Sequence, residues 1–180
     1  GIFRRNTGVA PERRPGVLLV HGLDEPGGIW ADLVPALGAA GFDTWEFLYP
    51  NDQGIDISAD LLAASWSDIP VDQRLVLIGH SMGGLVIRDF VSRWRHPVAL
   101  PPRVTGASVQ GVILAGTPNQ GSDWARLRVW LELRDQWAAG RQSGFAPLGG
   151  LRDGTGAAKI DLVPGSGFLE QLNARPWPVT

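Results

Sequence analysis

The stretch Ile78-Gly79-His80-Ser81-Met82-Gly83-Gly84 limits the possible folds more than any other. A strand-like apolar run, residues 74–79 (RLVLIG), leads into it, and a helix-like run, residues 82–94, leaves it. A turn from strand to helix this tight forces an unfavourable backbone angle on the residue at the bend. Its neighbours two before and two after must lack side chains, or they collide. Gly79 and Gly83 fill those positions, and Gly84 adds clearance. Ser81 is then presented at a helix start, where outward N–H groups favour negative charge.

The rest of the chain supplies a matching scaffold. Residues 16–20 (GVLLV) read as a strand buried on both faces. A Gly/Pro loop over 21–28 follows, then a helix over 29–40 with Trp30, Leu33, Val34 and Leu37 on one side and Gly41 as its stop. Residues 43–49 predict a second strand, 57–69 a second helix ended by Pro70, and 111–115 (GVILA) a fourth strand. This alternation predicts an α/β fold, a mostly parallel sheet with helices on both faces. Ligands bind beyond the carboxyl ends of such strands. His21-Gly22-Leu23, Gly79-His80-Ser81 and Gly116-Thr117-Pro118 should therefore meet at one edge.

Beyond residue 121 the pattern changes. Residues 122–139 are helix-like, with Ser122 as N-cap and Asp123 in the first turn. Residues 140–156 are rich in glycine, and 168–173 read as a short helix. Arg4, Arg5, Arg13 and Arg14 read as a solvated start.

Composition narrows the function classes. The 180 residues suit one domain, 44% hydrophobic and 19% charged, with a net charge of −2. No basic stripe suggests nucleic acid. The sequence has no cysteine, which excludes disulfides, thiolate metal sites and a cysteine nucleophile. No apolar run approaches the ~18 residues of a membrane span, and no signal-like segment opens the given residues. The compartment stays open between cytoplasm and exterior. No His/Asp/Glu cluster has metal-ligand spacing. Gly154-x-Gly156-x-x-Lys159 faintly resembles a phosphate loop but lacks the strand before it and the Gly-Lys-Ser/Thr ending. No cofactor is implied.

Ser81 is the candidate nucleophile. An acyl-transfer site also needs an oxyanion hole. The Met82 N–H, next after the serine, is one candidate donor, and the Leu23 N–H is the other. Each such donor typically contributes ~3–4 kcal/mol.

LLVHGL at 18–23, LIGHSMGGLVIRDF at 77–90, VILAGTPNQGS at 112–122 and PGSGFLEQLN at 164–173 together resemble the α/β-hydrolase superfamily. The likeness is to bacterial triacylglycerol lipases and GPI-inositol-deacylase-like hydrolases, and spans most of residues 16–175. It implies an ester hydrolase, often acting on lipids, with transient contact to a lipid surface. It implies Ser81 as nucleophile, Leu23 and Met82 as oxyanion donors, and residues 117–122 bordering the site. Thr117, Trp124 and Trp130 become candidate substrate contacts, and residues 122–167 a lid or cap. Trp130 and Trp137 also read simply as core.

A serine needs a base, and the base an orienting acid. The resemblance places both after the nucleophile, acid first. Of the three histidines, only His96 follows Ser81. A helix running away from the site puts it roughly 20 Å off, as an exposed loop residue. His80 reads as packing beneath the elbow, and His21 as a structural hydrogen-bonding group of the oxyanion loop. Asp123, Asp135, Asp153 and Asp161 follow the serine without a matching context; Asp123 reads as helix-start charge and Asp161 as structural.

The expectation is that a further C-terminal segment or a second chain supplies the acid and histidine, leaving these residues inactive alone. The alternatives are a non-catalytic or partner-completed binding module, and an acyltransferase, thioesterase or amidase sharing the acyl-enzyme. The purified natural protein should have an intact mass above the 19.3 kDa of these residues; a mass equal to it would favour the partner-completed or binding readings.

Overall fold

The computed structural model describes residues 1–6, 14–23, 28–50, 52–123, 125 and 157–177. Its strands are β1 (Ile2–Asn6), β2 (Gly16–Val20), β3 (Thr44–Phe47), β4 (Arg74–His80) and β5 (Ser108–Ala115). Its α-helices are α1 (Leu33–Ala39), α2 (Ile55–Ala64), α3 (Met82–Phe90), α4 (Ala157–Asp161) and α5 (Gly167–Ala174). One sheet forms in the order β1-β3-β2-β4-β5. β2 to β5 run parallel, and β1 is antiparallel to β3.

The order reverses at β2, with β3 on one side and β4 on the other. Such a reversal opens a crevice at the carboxyl ends of the two strands. Val17 and Leu19 face Trp30, Leu33, Val34 and Leu37 on the α1 side. Leu18 and Val20 face the other way, into the main core with Leu62 of α2 and Leu85 of α3. Cover on both faces is why β2 reads as an unbroken apolar run.

Local signals set the helix ends. Gly41 (φ 84°) lets the chain leave α1, with Gly41 N–H on the Gly38 carbonyl at 2.9 Å and Phe42 N–H on Leu37 at 2.9 Å. The helix expected over 29–40 is split: a 3₁₀ turn, Gly28–Trp30, precedes α1. The second is split likewise, with a 3₁₀ turn, Trp66–Asp68, following α2. The third continues past α3 as a single π turn, Val91–Arg95.

The N-terminal arginines are exposed, as a solvated start implies, but residues 2–6 also form a strand that the sequence reading did not give. β1 is an edge strand with Ile2 buried, and its arginines have partners. Arg4 pairs with Asp43 at 2.8 Å and lies over the Trp45 ring at 5.3 Å; Arg5 reaches Glu46 at 3.3 Å. The sheet therefore has five strands rather than four. Two consecutive arginines, Arg4 and Arg5, hid this strand, because their partners come from β3 and the residue before it.

The last described segment is strapped to the front of the domain. Ala158, Leu162, Leu169 and Leu172 enter the main core. The Asp161 carboxylate accepts the Ile55 N–H at 2.9 Å at the start of α2. Buried Asp89 of α3 binds both Arg93 and Arg175. Arg88 reaches Asn119 at 2.9 Å and Asn173 at 3.0 Å. At the opposite end of the sheet β5 is an edge strand, and Ile113 on it is 52% exposed.

Glu46 is buried at 1% exposure, and its pKa lies above the ordinary 4.5 because burial disfavours the charge, while Arg5 and His21 pull it back. A raised folded value means that its stabilisation is full below the unfolded pKa and is lost as pH rises through the folded one. Glu46→Gln cannot ionise and should flatten the fall in urea midpoint that sets in as pH rises above the ordinary 4.5; an unchanged slope would refute this.

Candidate active site

Ser81 sits between β4 and α3 with φ 50° and ψ −125°, a backbone region that strongly favours glycine. Its N–H donates to the Ala115 carbonyl at 2.8 Å, and its carbonyl accepts the Gly84 N–H at 3.1 Å. Its side chain makes no capping bond to the helix it begins. The three glycines hold this turn by close approach. A Cβ on Gly79 would lie 2.6 Å from Gly84, and one on Gly83 would lie 2.2 Å from the Val20 carbonyl oxygen and 2.4 Å from that of His21. A Cβ on Gly84 would lie 1.9 Å from the Thr117 hydroxyl. The start of α3 is thus seated on the ends of β2 and β5.

The loop after β2 reaches the same point. A Cβ on Gly22 would come within 2.9 Å of the Ser81 Cβ. His21 is 2% exposed, and its ring stacks on Tyr49 at 4.5 Å. Its Nδ1 donates to the Gly22 carbonyl at 2.9 Å, and its own carbonyl accepts the Tyr49 hydroxyl at 2.7 Å. Tyr49 stacks in turn on Phe47 at 4.9 Å, and burial raises its pKa. This column fixes the path of residues 21–23. Sequence reasoning missed Tyr49, although its place at the end of β3, beside β2, was a usable signal.

A cavity of about 490 Å³ opens over the serine. Its apolar walls include Leu23, Pro118, Ala125 and Leu162; Ser81, Ser122 and Lys159 add polar groups. Thr117 lies between two lining residues, Gly116 and Pro118, with its hydroxyl buried against Gly84 and without a hydrogen bond among the described residues. The Ser122 N–H donates to the Leu162 carbonyl at 2.8 Å, tying the chain that leaves the cavity to the chain that returns. Met82 is fully buried in the main core, and its N–H belongs to the helix's first turn, where donors lack partners within the helix. Trp124, Trp130, Asp135, Asp153 and most of the expected lid over 122–167 lie outside the described residues.

The histidines are dispersed. His80 lies on the α1 side of β4, edge-on to Trp30 with ring centroids 6.5 Å apart. His96 closes the π turn through its N–H to the Val91 carbonyl at 2.8 Å. It is half-buried rather than exposed, because it lines a small separate cavity with Val112 and Trp177 on the flank of β5. Burial, then Arg95, lowers its pKa. Of the acids, Asp161 is engaged at the start of α2 and Asp123 is exposed. Among the described residues, no group of three or more His, Asp or Glu could hold a metal ion.

A mostly parallel α/β sheet with a strained serine at its crossover crevice defines a class, and the comparisons give it a family. The Alpha/beta hydrolase family matches residues 17–179, and the chain belongs to it. Among solved structures, mature Bacillus licheniformis lipase BlEst2 is similar at 19% identity and TM-score 0.65, over 98% of this chain and 66% of that one. Staphylococcus hyicus lipase is similar at 16% identity and TM-score 0.59, over 93% of this chain and 65% of that one. Phospholipase PlaB from Legionella pneumophila, in complex with thio-NAD, is similar at 19% identity and TM-score 0.53, over 89% of this chain and 33% of that one. These likenesses are of fold, and the chain spans no more than 66% of any of the three. No curated protein sequence matches the chain.

The glycine contacts differ in what they press on, and substitutions should sort accordingly. Gly83→Ala meets rigid backbone and should cost about 3 kcal/mol or more. Gly84→Ala meets a side chain and should be partly rescued by Thr117→Ala. Gly28→Ala, with nothing within 4 Å of the new Cβ, should be nearly neutral. Denaturant midpoints of the four variants check this order.

Proposed function

We propose that the protein is a serine hydrolase of carboxylic esters, with lipid esters as the favoured class. The observation that carries the proposal is Ser81, held at φ 50° at the start of α3 and opening into a mostly apolar cavity. Strain of this kind costs about 1–3 kcal/mol and recurs at functional positions. A buried structural serine would not need it. The lipase and phospholipase names of the neighbouring structures support the same class.

In the proposed reaction the Ser81 Oγ attacks the ester carbonyl carbon and passes its proton to a histidine base. The Met82 and Leu23 N–H groups hold the negative oxygen of the tetrahedral intermediate. The alcohol leaves with the proton returned by the base, and an acyl-serine remains. Water, deprotonated by the same base, then releases the acid and restores Ser81. His21, His80 and His96 each have a structural place, so the base is assigned to a histidine outside these 180, with its orienting acid beside it. The limited coverage of the neighbouring lipases and the β5 edge, which has no outer strand among the described residues, support that assignment. A second chain covering that edge would serve equally. An acyltransferase, thioesterase or amidase would use the same acyl-enzyme, and competition between water, alcohols and amines distinguishes them.

In the intact natural protein, Ser81→Ala should abolish fluorophosphonate labelling and lower turnover of neutral p-nitrophenyl esters about 10⁴-fold or more. Ester cleavage surviving that substitution would refute the assignment.

A further inference from the structure

Arg88 lies about two helical turns beyond Ser81 on α3 and is half-buried. Its planar guanidinium donates from two nitrogens to two different segments. Nη1 reaches the Asn119 side-chain oxygen at 2.9 Å, and Nη2 reaches that of Asn173 at 3.0 Å. Asn173, which is exposed, closes the ring from outside: its Nδ2 donates to the Asn119 carbonyl at 2.9 Å. None of the three lines the cavity, but Asn119 and Asn173 belong to the segments that form its walls. Gly116, Pro118 and Ser122 line it from the turn after β5, and Leu162 lines it from the strap that ends in α5.

The two walls also touch each other. The Gly121 N–H donates to the Pro118 carbonyl at 2.9 Å, and the Ser122 N–H to the Leu162 carbonyl at 2.8 Å. A Cβ on Gly121 (φ 91°) would lie 2.7 Å from Pro164. Arg88 fixes this pair of walls relative to the helix that begins at Ser81. The ring is not needed to hold α5. Buried Asp89, the next residue, binds Arg175 just beyond that helix, and Leu169 and Leu172 sit in the main core. Nor does the ring neutralise charge, because both acceptors are amides and burial lowers the Arg88 pKa. What it adds is a fixed place for Asn119, and so for Pro118 beside it.

We propose that Arg88 is a positioning residue that sets the separation of the two cavity walls, and through it the width of ester admitted at Ser81. The selectivity part of this inference rests on the hydrolase reading above; the wall-holding part does not. One methylene in an apolar pocket changes kcat/KM roughly 10–200-fold, so a wall released by about 1 Å is measurable.

Competition between a straight and a branched isomer in one sample of the intact protein reads the width, because the amount of active enzyme cancels. Ethyl pentanoate against ethyl 2-methylbutanoate varies the acyl side, and n-butyl acetate against sec-butyl acetate the alcohol side. The straight isomer of at least one pair should be preferred, with products separated by gas chromatography. Arg88→Met should lower that preference about fivefold or more, and so should Asn119→Leu. Asn119→Asp keeps an acceptor for Arg88 and should retain the preference. Arg88→Lys, one point charge facing two oxygens, should restore little of it. No preference in either pair, or one unchanged in Arg88→Met, overturns the selectivity part. Amide hydrogen exchange needs no catalysis. In Arg88→Met the Gly121 and Ser122 amides should exchange about tenfold faster or more, while the Ser81 amide, bonded to the Ala115 carbonyl at 2.8 Å, keeps its rate. Equal acceleration at all three, or none, overturns the wall-holding part. Selective acceleration without ester turnover in the wild type would sink the hydrolase reading and keep the wall-holding; turnover without it would do the reverse.

Discussion

The contact on which the rest of the structure depends is that of a helix end against strand ends with no Cβ between them. Gly83 sits on the carbonyls of Val20 and His21, and Gly84 on Thr117. This single junction brings the ends of β2, β4 and β5 to one point and holds Ser81 out of the favoured backbone regions. The strain cannot relax, because either flank is anchored. β4 lies between two parallel neighbours, and Met82, Leu85 and Val86 are fully buried on α3. Core packing thus supplies the rigidity, and the strained serine draws on it.

A second support works from beneath. The His21–Tyr49–Phe47 column is a polar and aromatic strut under the loop that approaches Ser81. It shows why a histidine in that loop is buried rather than reactive. One ring nitrogen is spent on the Gly22 carbonyl, and one ring face on Tyr49. A His-Gly pair after a strand can therefore serve architecture alone: the ring sets the path, and the glycine lets the serine come close.

What was legible in the sequence was whatever is enforced locally. The alternation of apolar strands and helices, the glycine spacing at Ser81 and the stop at Gly41 each act within a few residues. What was not legible depends on partners distant in the chain. β1 is a strand because Asp43, Trp45 and Glu46 receive its arginines. The expected helices break where Trp30 and Trp66 turn into the core, which periodicity alone does not mark. Lys159 enters the cavity from a helix about 80 positions after the serine, placed by α2 rather than by any motif of its own. His96 was read as an exposed loop residue beyond its helix, yet the flank of β5 covers it.

The two edges of the sheet carry opposite chemistry. β1 presents Arg4 and Arg5, and charge on an edge discourages further pairing. β5 reads SVQGVILA, with no charge along its length and with Ile113 open on its outer side. A parallel sheet is stable when both faces are covered, and on the α1 side of β5 the described residues leave Ile113 open. An apolar, uncharged edge of this kind is a place for another strand rather than a boundary with water. A strand added there in parallel would end beside Gly116, next to the cavity and level with Ser81.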